Sequence, residues 1–167
     1  KYGNGKLVRD KVVNRILKKG ERCVYHIATT QKERVRTLGD KLIEECFEFT
    51  TAETPEEAID IDEAVRKAIA FYSFDRTALQ VARGSPPIYD ALQVRDDARR
   101  MDIQLALIEA AEDFVVDTDL RRMAVFLAVF DQAVSFYGFD RGMLEALRIN
   151  KLRELGGFDE WIILDES

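Results

Sequence analysis

The apolar positions of this chain recur mostly at helical intervals. In VRDKVVNRILKKG they fall at Val8, Val12, Val13, Ile16 and Leu17, one face of a helix, and Gly20 supplies a residue suited to stop it. CVYHIA, Cys23 to Ala28, is short and rich in β-branched and aromatic residues, and it reads as a strand. Thr30-Gln31-Lys32-Glu33 has the spacing of a capping box and opens a helix to about Phe49. Thr54-Pro55-Glu56-Glu57 repeats the pattern with proline at the first helical position, predicting a helix through about Tyr72. Asp75 is placed to cap a short fourth helix, and GSPP, Gly84 to Pro87, marks a linker. Helical spacing resumes to about Val116, restarts near Asp119, stops at Gly138 and runs again from Asp140 to Leu155. GGFDEWIIL, Gly156 to Leu164, reads as a turn and a second strand able to pair with CVYHIA. The expected fold is all-α, a helical bundle with a small two-stranded β-ribbon, in a single domain over residues 1–167.

The pattern also repeats. FYSFDRTAL at Phe71 to Leu79 and FYGFDRGML at Phe136 to Leu144 agree at six of nine positions, at an offset of 65. Carried back without a gap, that offset places Leu42-Ile43-Glu44 on Leu107-Ile108-Glu109 and Phe49 on Phe114. A tandem duplication is expected, with a first copy over 6–83 and a second, with the tail, over 89–164. Phe71, Phe74, Phe136 and Phe139 are expected in the core.

Composition narrows the functional classes. With 47% hydrophobic and 34% charged residues among 167, the chain has material for a core and lacks the polar bias of disorder. A formal charge of −6, with bases interspersed among acids, argues against a nucleic-acid binder. No apolar run approaches the ~18 residues of a membrane span, and KYGNGKLVRDK has no apolar leader core. A cytoplasmic protein with no membrane partner is expected. Cys23 and Cys46 are not in metal spacing and are expected as buried free thiols; His26, the lone histidine, is expected as a strand residue.

The acids are concentrated in KLIEECFEFTTAETPEEAID, Lys41 to Asp60. Glu45 and Glu48 are three apart, as are Glu57 and Asp60, so each pair shares a helical face. The short connection from Phe49 to Thr54 makes the two helices antiparallel neighbours and brings the pairs face to face. In the second copy the equivalent positions are Ala110, Asp113, Arg122 and Val125, so packing is retained where three of the four acids are lost. Two like charges ~4 Å apart repel by about 4 kcal/mol at an effective dielectric near 20, which a cation would offset. Oxygen-only donors point to a hard ion, Mg²⁺ or Mn²⁺. A solvated helical face is the ordinary reading of any one such pair, and Glu57 also has a capping role open to it. Glu44 and Glu63 are expected either as outer acids or as salt-bridge partners of Lys41 and Lys67.

KLVRDK at 6–11, KLIEECFEF at 41–49, EEAIDIDEAV at 56–65 and KLRELGGF at 151–158, in that order, resemble the successive signatures of the MazG-like all-α NTP pyrophosphatase superfamily, in its small phosphoribosyl-ATP-pyrophosphohydrolase-like branch. The resemblance covers residues 6 to about 83 and about 136 to 164. It implies that Glu45, Glu48, Glu57 and Asp60 bind Mg²⁺, and that a nucleoside triphosphate is cleaved between the α and β phosphates to a monophosphate and pyrophosphate. Glu45 or Glu48 would orient or deprotonate the water; the sequence does not choose between them. Lys6, Arg9, Lys11, Lys151 and Arg153 are candidates for phosphate contact, with surface salt bridging equally open to them. Leu155 stands where relatives commonly carry an arginine before Gly-Gly-Phe. Relatives assemble from short chains, which implies that the second copy takes a partner's place in an intrachain pseudo-dimer, with a homodimer left open. The expected activity is house-cleaning of dNTPs. The alternatives are a non-catalytic nucleotide-binding or protein-interaction module, and phosphoribosyl-ATP hydrolysis.

Overall fold

The computed structural model describes residues 3–83 and 97–166. Among them the order is β1 (Gly3–Leu7), α1 (Val12–Lys18), β2 (Val24–Ile27), α2 (Gln31–Ala52), α3 (Pro55–Phe71), α4 (Arg76–Arg83), α5 (Asp97–Val116), α6 (Leu120–Tyr137), α7 (Arg141–Leu155) and β3 (Ile162–Glu166). The protein is an all-α bundle with a small sheet on one flank. The Gly84 to Pro87 linker lies outside the described residues.

Local chemistry sets most of the helix starts. Thr30, Thr54, Asp119 and Asp140 each accept from the backbone N–H three residues on, and Asp75 does the same for Ala78. Gly138 stops α6 in the left-handed conformation, φ 70°, which glycine adopts without a Cβ clash. Glu33 does not close its capping box through its side chain. That carboxylate turns instead to His26 Nε2 at 2.6 Å, while Nδ1 of the same ring meets Asp165 of β3 at 2.6 Å. His26 therefore fastens β2 to β3 and to the first turn of α2.

The sheet has three strands rather than the two expected from sequence, in the order β1-β3-β2, with β3 antiparallel to both neighbours. The extra strand is GNGKL, whose extended form comes from pairing with β3 rather than from propensity. The first helix is also shorter than its apolar spacing predicts. Val8 N–H donates to Ile162 O, Asp10 N–H to Gly157 O and Lys11 N–H to Leu155 O, so the chain here runs along the C-terminal segment and the helix starts only at Val12. Val8, Val12 and Val13 pack with Ile162 and Leu164 in a small cluster of their own. Cys46 is buried but Cys23 is only half-buried; both are free.

The main core runs through both halves of the chain, from Leu42, Cys46 and Phe49 to Met123, Phe126 and Phe136. Its arrangement is reciprocal. α4 packs on α6, while α7 packs on α3. Arg83 of α4 pairs with Asp131 of α6, and Arg148 of α7, 65 positions later, pairs with Glu63 of α3 at 3.4 Å. Phe49 meets Tyr137 edge-on at 5.2 Å, and their counterparts Phe114 and Tyr72 meet edge-on at 5.8 Å. α2 and α5 lie close where a Cβ on Gly39 would come within 3.1 Å of Val115 Cγ1. Each half of the chain thus packs a helix and an aromatic ring on the other.

Candidate functional site

α2 and α3 are antiparallel neighbours joined by a tight turn at Glu53, and the acids of the two helices converge. Ligand oxygens of Glu45, Glu57 and Asp60 all lie within 4.8 Å of one another, as do those of Glu44, Glu45 and Glu48. Glu45 belongs to both sets. It sits on the α2 face that packs inward, retains 3% of its surface, and its Oε2 has no hydrogen-bond partner. Glu57 Oε2 is likewise buried without a partner. Each such oxygen costs about 1–3 kcal/mol or more in desolvation unless something satisfies it.

The electrostatics follow from this crowding. Burial, opposed by Lys41 and reinforced by Asp60 and Glu48, pushes the Glu45 carboxyl up to about 7. Burial, then Asp60 and Glu48, raises Glu57 as well. Glu44 goes the other way: burial would raise it, but Lys41 and Lys6 outweigh that and hold it below the usual carboxylate range.

Four cations stand among the acids. Lys41 Nζ lies 3.1 Å from Glu45 Oε1 and 3.2 Å from Glu44 Oε1, and Lys6 reaches Glu44 Oε2 at 3.0 Å. Arg9 Nη2 donates to Asp60 Oδ1 at 2.9 Å, and its Nη1 donates to Gly156 O at 3.1 Å. Lys151 Nζ sits 2.7 Å from Asp60 Oδ1 and 2.9 Å from Oδ2. Arg9, Lys41, Glu44, Glu45, Glu48, Asp60, Lys151 and Phe158 line a cavity of about 110 Å³ together with Val8, Val12 and Leu155. The Phe158 ring stands 5.6 Å from the Arg9 guanidinium and 5.9 Å from the Lys41 ammonium.

The four acids expected from sequence thus come together, and of the five expected phosphate ligands Arg9 and Lys151 line the cavity. Lys6 stands at its edge through Glu44. Lys11 and Arg153 do not line it: Lys11 Nζ donates to Arg153 O, and the Arg153 side chain turns to Asn150. Lys41 pairs with Glu45 as well as with the expected Glu44, a link that the i, i+4 spacing permits. Glu63 pairs with Arg148 rather than Lys67, whose ammonium sits 4.8 Å above the Trp161 ring. In the second half, Asp113 is exposed, Val125 is exposed and Arg122 is engaged with Asp117 and Asp119; among the described residues no acidic cluster forms there.

The donor set fits a hard divalent ion. It is all oxygen, Glu45, Glu57 and Asp60 each bring an oxygen within 4.8 Å of the others, and two buried oxygens lack partners. No protein-family model, no curated protein and no solved structure matches this chain.

Proposed function

We propose that this protein is a divalent-metal-dependent nucleotide pyrophosphohydrolase of the MazG-like kind, releasing a nucleoside monophosphate and pyrophosphate. The observation that carries the reading is the pair of buried, unpartnered oxygens of Glu45 and Glu57, on neighbouring helices whose carboxylates converge beside three cationic side chains. Glu45, Glu48, Glu57 and Asp60 would hold Mg²⁺ or Mn²⁺. Such an ion, when bound, neutralises phosphate oxygens and acidifies water.

The chain's own residues supply the rest. Arg9, Lys41 and Lys151 bring positive charge to a cavity too small for a nucleotide but sized for phosphate groups, so the base would lie outside it. Glu45 and Glu48 both line the cavity, and either would orient the water or take its proton. Glu48 is more exposed and sits beside Glu57, on the cavity wall. Val8, Val12, Leu155 and Phe158 supply the apolar part of the lining.

A second reading has its own observation. Asp60 already has Arg9 and Lys151 on its oxygens, as a non-catalytic module that had lost its ion would. A nucleoside triphosphate panel with Mg²⁺ and separate detection of pyrophosphate and orthophosphate decides between them. Monophosphate and pyrophosphate are expected. Diphosphate and orthophosphate would reject the mechanism, and no turnover with any nucleotide would favour the idle module.

A further inference from the structure

Asp60 holds two cationic partners that are anchored very differently. The Arg9 side chain keeps 7% of its surface, is also tied to Gly156 O, and stands against the Phe158 ring. It is part of the clasp between residues 8–11 and 155–160, which Asp10 extends by accepting from the backbone of Asp159 and Glu160. Lys151 is on α7 at the rim of the same cavity, keeps 30% of its side-chain surface, and among the described residues its only ion pair or hydrogen bond is with Asp60. A lysine ammonium on a four-carbon stem moves between partners at small cost, whereas a buried guanidinium held by two separate acceptors does not.

The oxygens cannot serve everyone at once. Asp60 Oδ1 receives both Arg9 and Lys151, and Oδ2 receives Lys151. A divalent ion that used Asp60 together with the unpartnered Glu45 and Glu57 oxygens would meet the Lys151 ammonium on the same lone pairs, where like charges repel. We propose that Lys151 is an exchangeable internal counter-ion: it neutralises Asp60 in the ion-free site, is expelled when a divalent cation binds, and then serves as a ligand for the anionic group that follows. Arg9 stays in place as the fixed tether. This rests on the metal-centre reading given above, and it assigns the order of events and the source of the first phosphate-binding charge.

The test is a Mn²⁺ titration of the ion-free chain by calorimetry and Mn²⁺ EPR, followed by a pyrophosphate titration of the Mn²⁺-loaded chain, on the wild type, Lys151→Met and Lys151→Arg. Removing a competing charge should tighten Mn²⁺ binding in Lys151→Met by roughly tenfold, and pyrophosphate binding should weaken by about tenfold or more. Lys151→Arg keeps the charge and should bind Mn²⁺ no more tightly than the wild type, which separates charge from loss of packing. Unchanged or weaker Mn²⁺ binding in Lys151→Met would overturn the competition, and unchanged pyrophosphate binding would overturn the exchange. If Mn²⁺ fails to bind the wild type, or binds Glu45→Gln and Glu57→Gln as it binds the wild type, the metal centre itself falls.

Discussion

Arg9 Nη2 lies 2.9 Å from Asp60 Oδ1, with side-chain exposures of 7% and 15%. One acid of the cluster is therefore paired in the absence of an ion, while Glu45 and Glu57 carry oxygens that are not. Neutralising acids at this site should have opposite effects on stability depending on which acid is chosen. Asp60→Asn leaves a buried guanidinium without its counter-charge and should cost roughly 2–4 kcal/mol. Glu45→Gln relieves repulsion and should raise metal-free stability by about 1 kcal/mol. Urea denaturation in chelator measures both, and shifts of the same sign would show that the acids act as one network.

Glu45 makes the metal-free protein sensitive to pH. Below about pH 4.5 the group is protonated in both folded and unfolded chains; above that the unfolded chain releases its proton first, while the folded form keeps it up to about 7. The folded state thus binds more protons across this window, and stability falls as pH rises through it, by at most ~3 kcal/mol. Glu57, also raised, acts in the same direction, while Glu44, held low by Lys41 and Lys6, contributes stability that is lost only on acidification. A pH series of urea melts should show the decline in the wild type and a flatter profile in Glu45→Gln. Mn²⁺ binding at pH 6 should release protons into the buffer.

His26 governs a neighbouring window. Hydrogen bonds to Glu33 and Asp165, outweighing its slight burial, raise the imidazole above its ordinary value of 6.5. Only the protonated ring donates to both carboxylates, so its contribution is complete below 6.5 and lost as pH rises through the raised value. With 43% of the side chain exposed, solvent screens much of it. His26→Gln should remove the part of the stability profile that falls as pH rises above 6.5 and leave the Glu45 window intact. Thermal melts of the two variants in parallel check this.

The reciprocal aromatic contacts predict matched costs in the two halves. Phe49 and Phe114 are both buried and each meets the tyrosine of the other half edge-on. Phe49→Ala and Phe114→Ala should each destabilise by about 3–5 kcal/mol and both should broaden the same unfolding transition. A mild effect at Phe114, or two separable transitions, would mean that the second half is an appendage rather than half of the core.

What could be read from sequence was whatever local chemistry decides. Thr30, Thr54 and Asp75 cap helices through atoms three residues away, so their roles are legible in a window of four. The acids were visible because i, i+3 spacing and a short connection leave little freedom. β1 was not, since GNGKL has almost no strand propensity and takes its form from β3, more than 150 residues later. For the same reason Arg9 and Lys151 could be named as cations but not as the two partners of Asp60, and Lys67 could not be told to leave Glu63 for Trp161. Tertiary pairing decides each of these.

The position of β3 between β1 and β2 has a further consequence for the order in which the molecule is made. On a ribosome the two outer strands emerge first and have no partner until residues 162–166 follow. The α2–α3 hairpin can form early from contacts close in sequence, carrying its acids together before Arg9 and Lys151 can reach them. Closing the loop from Arg9 to Gly156 is a late and slow event, because contacts so distant in the chain must await the entropy of loop closure. The nascent protein therefore passes through a stage in which its acidic hairpin is present without its basic clasp, and in that interval a divalent ion would meet no competitor.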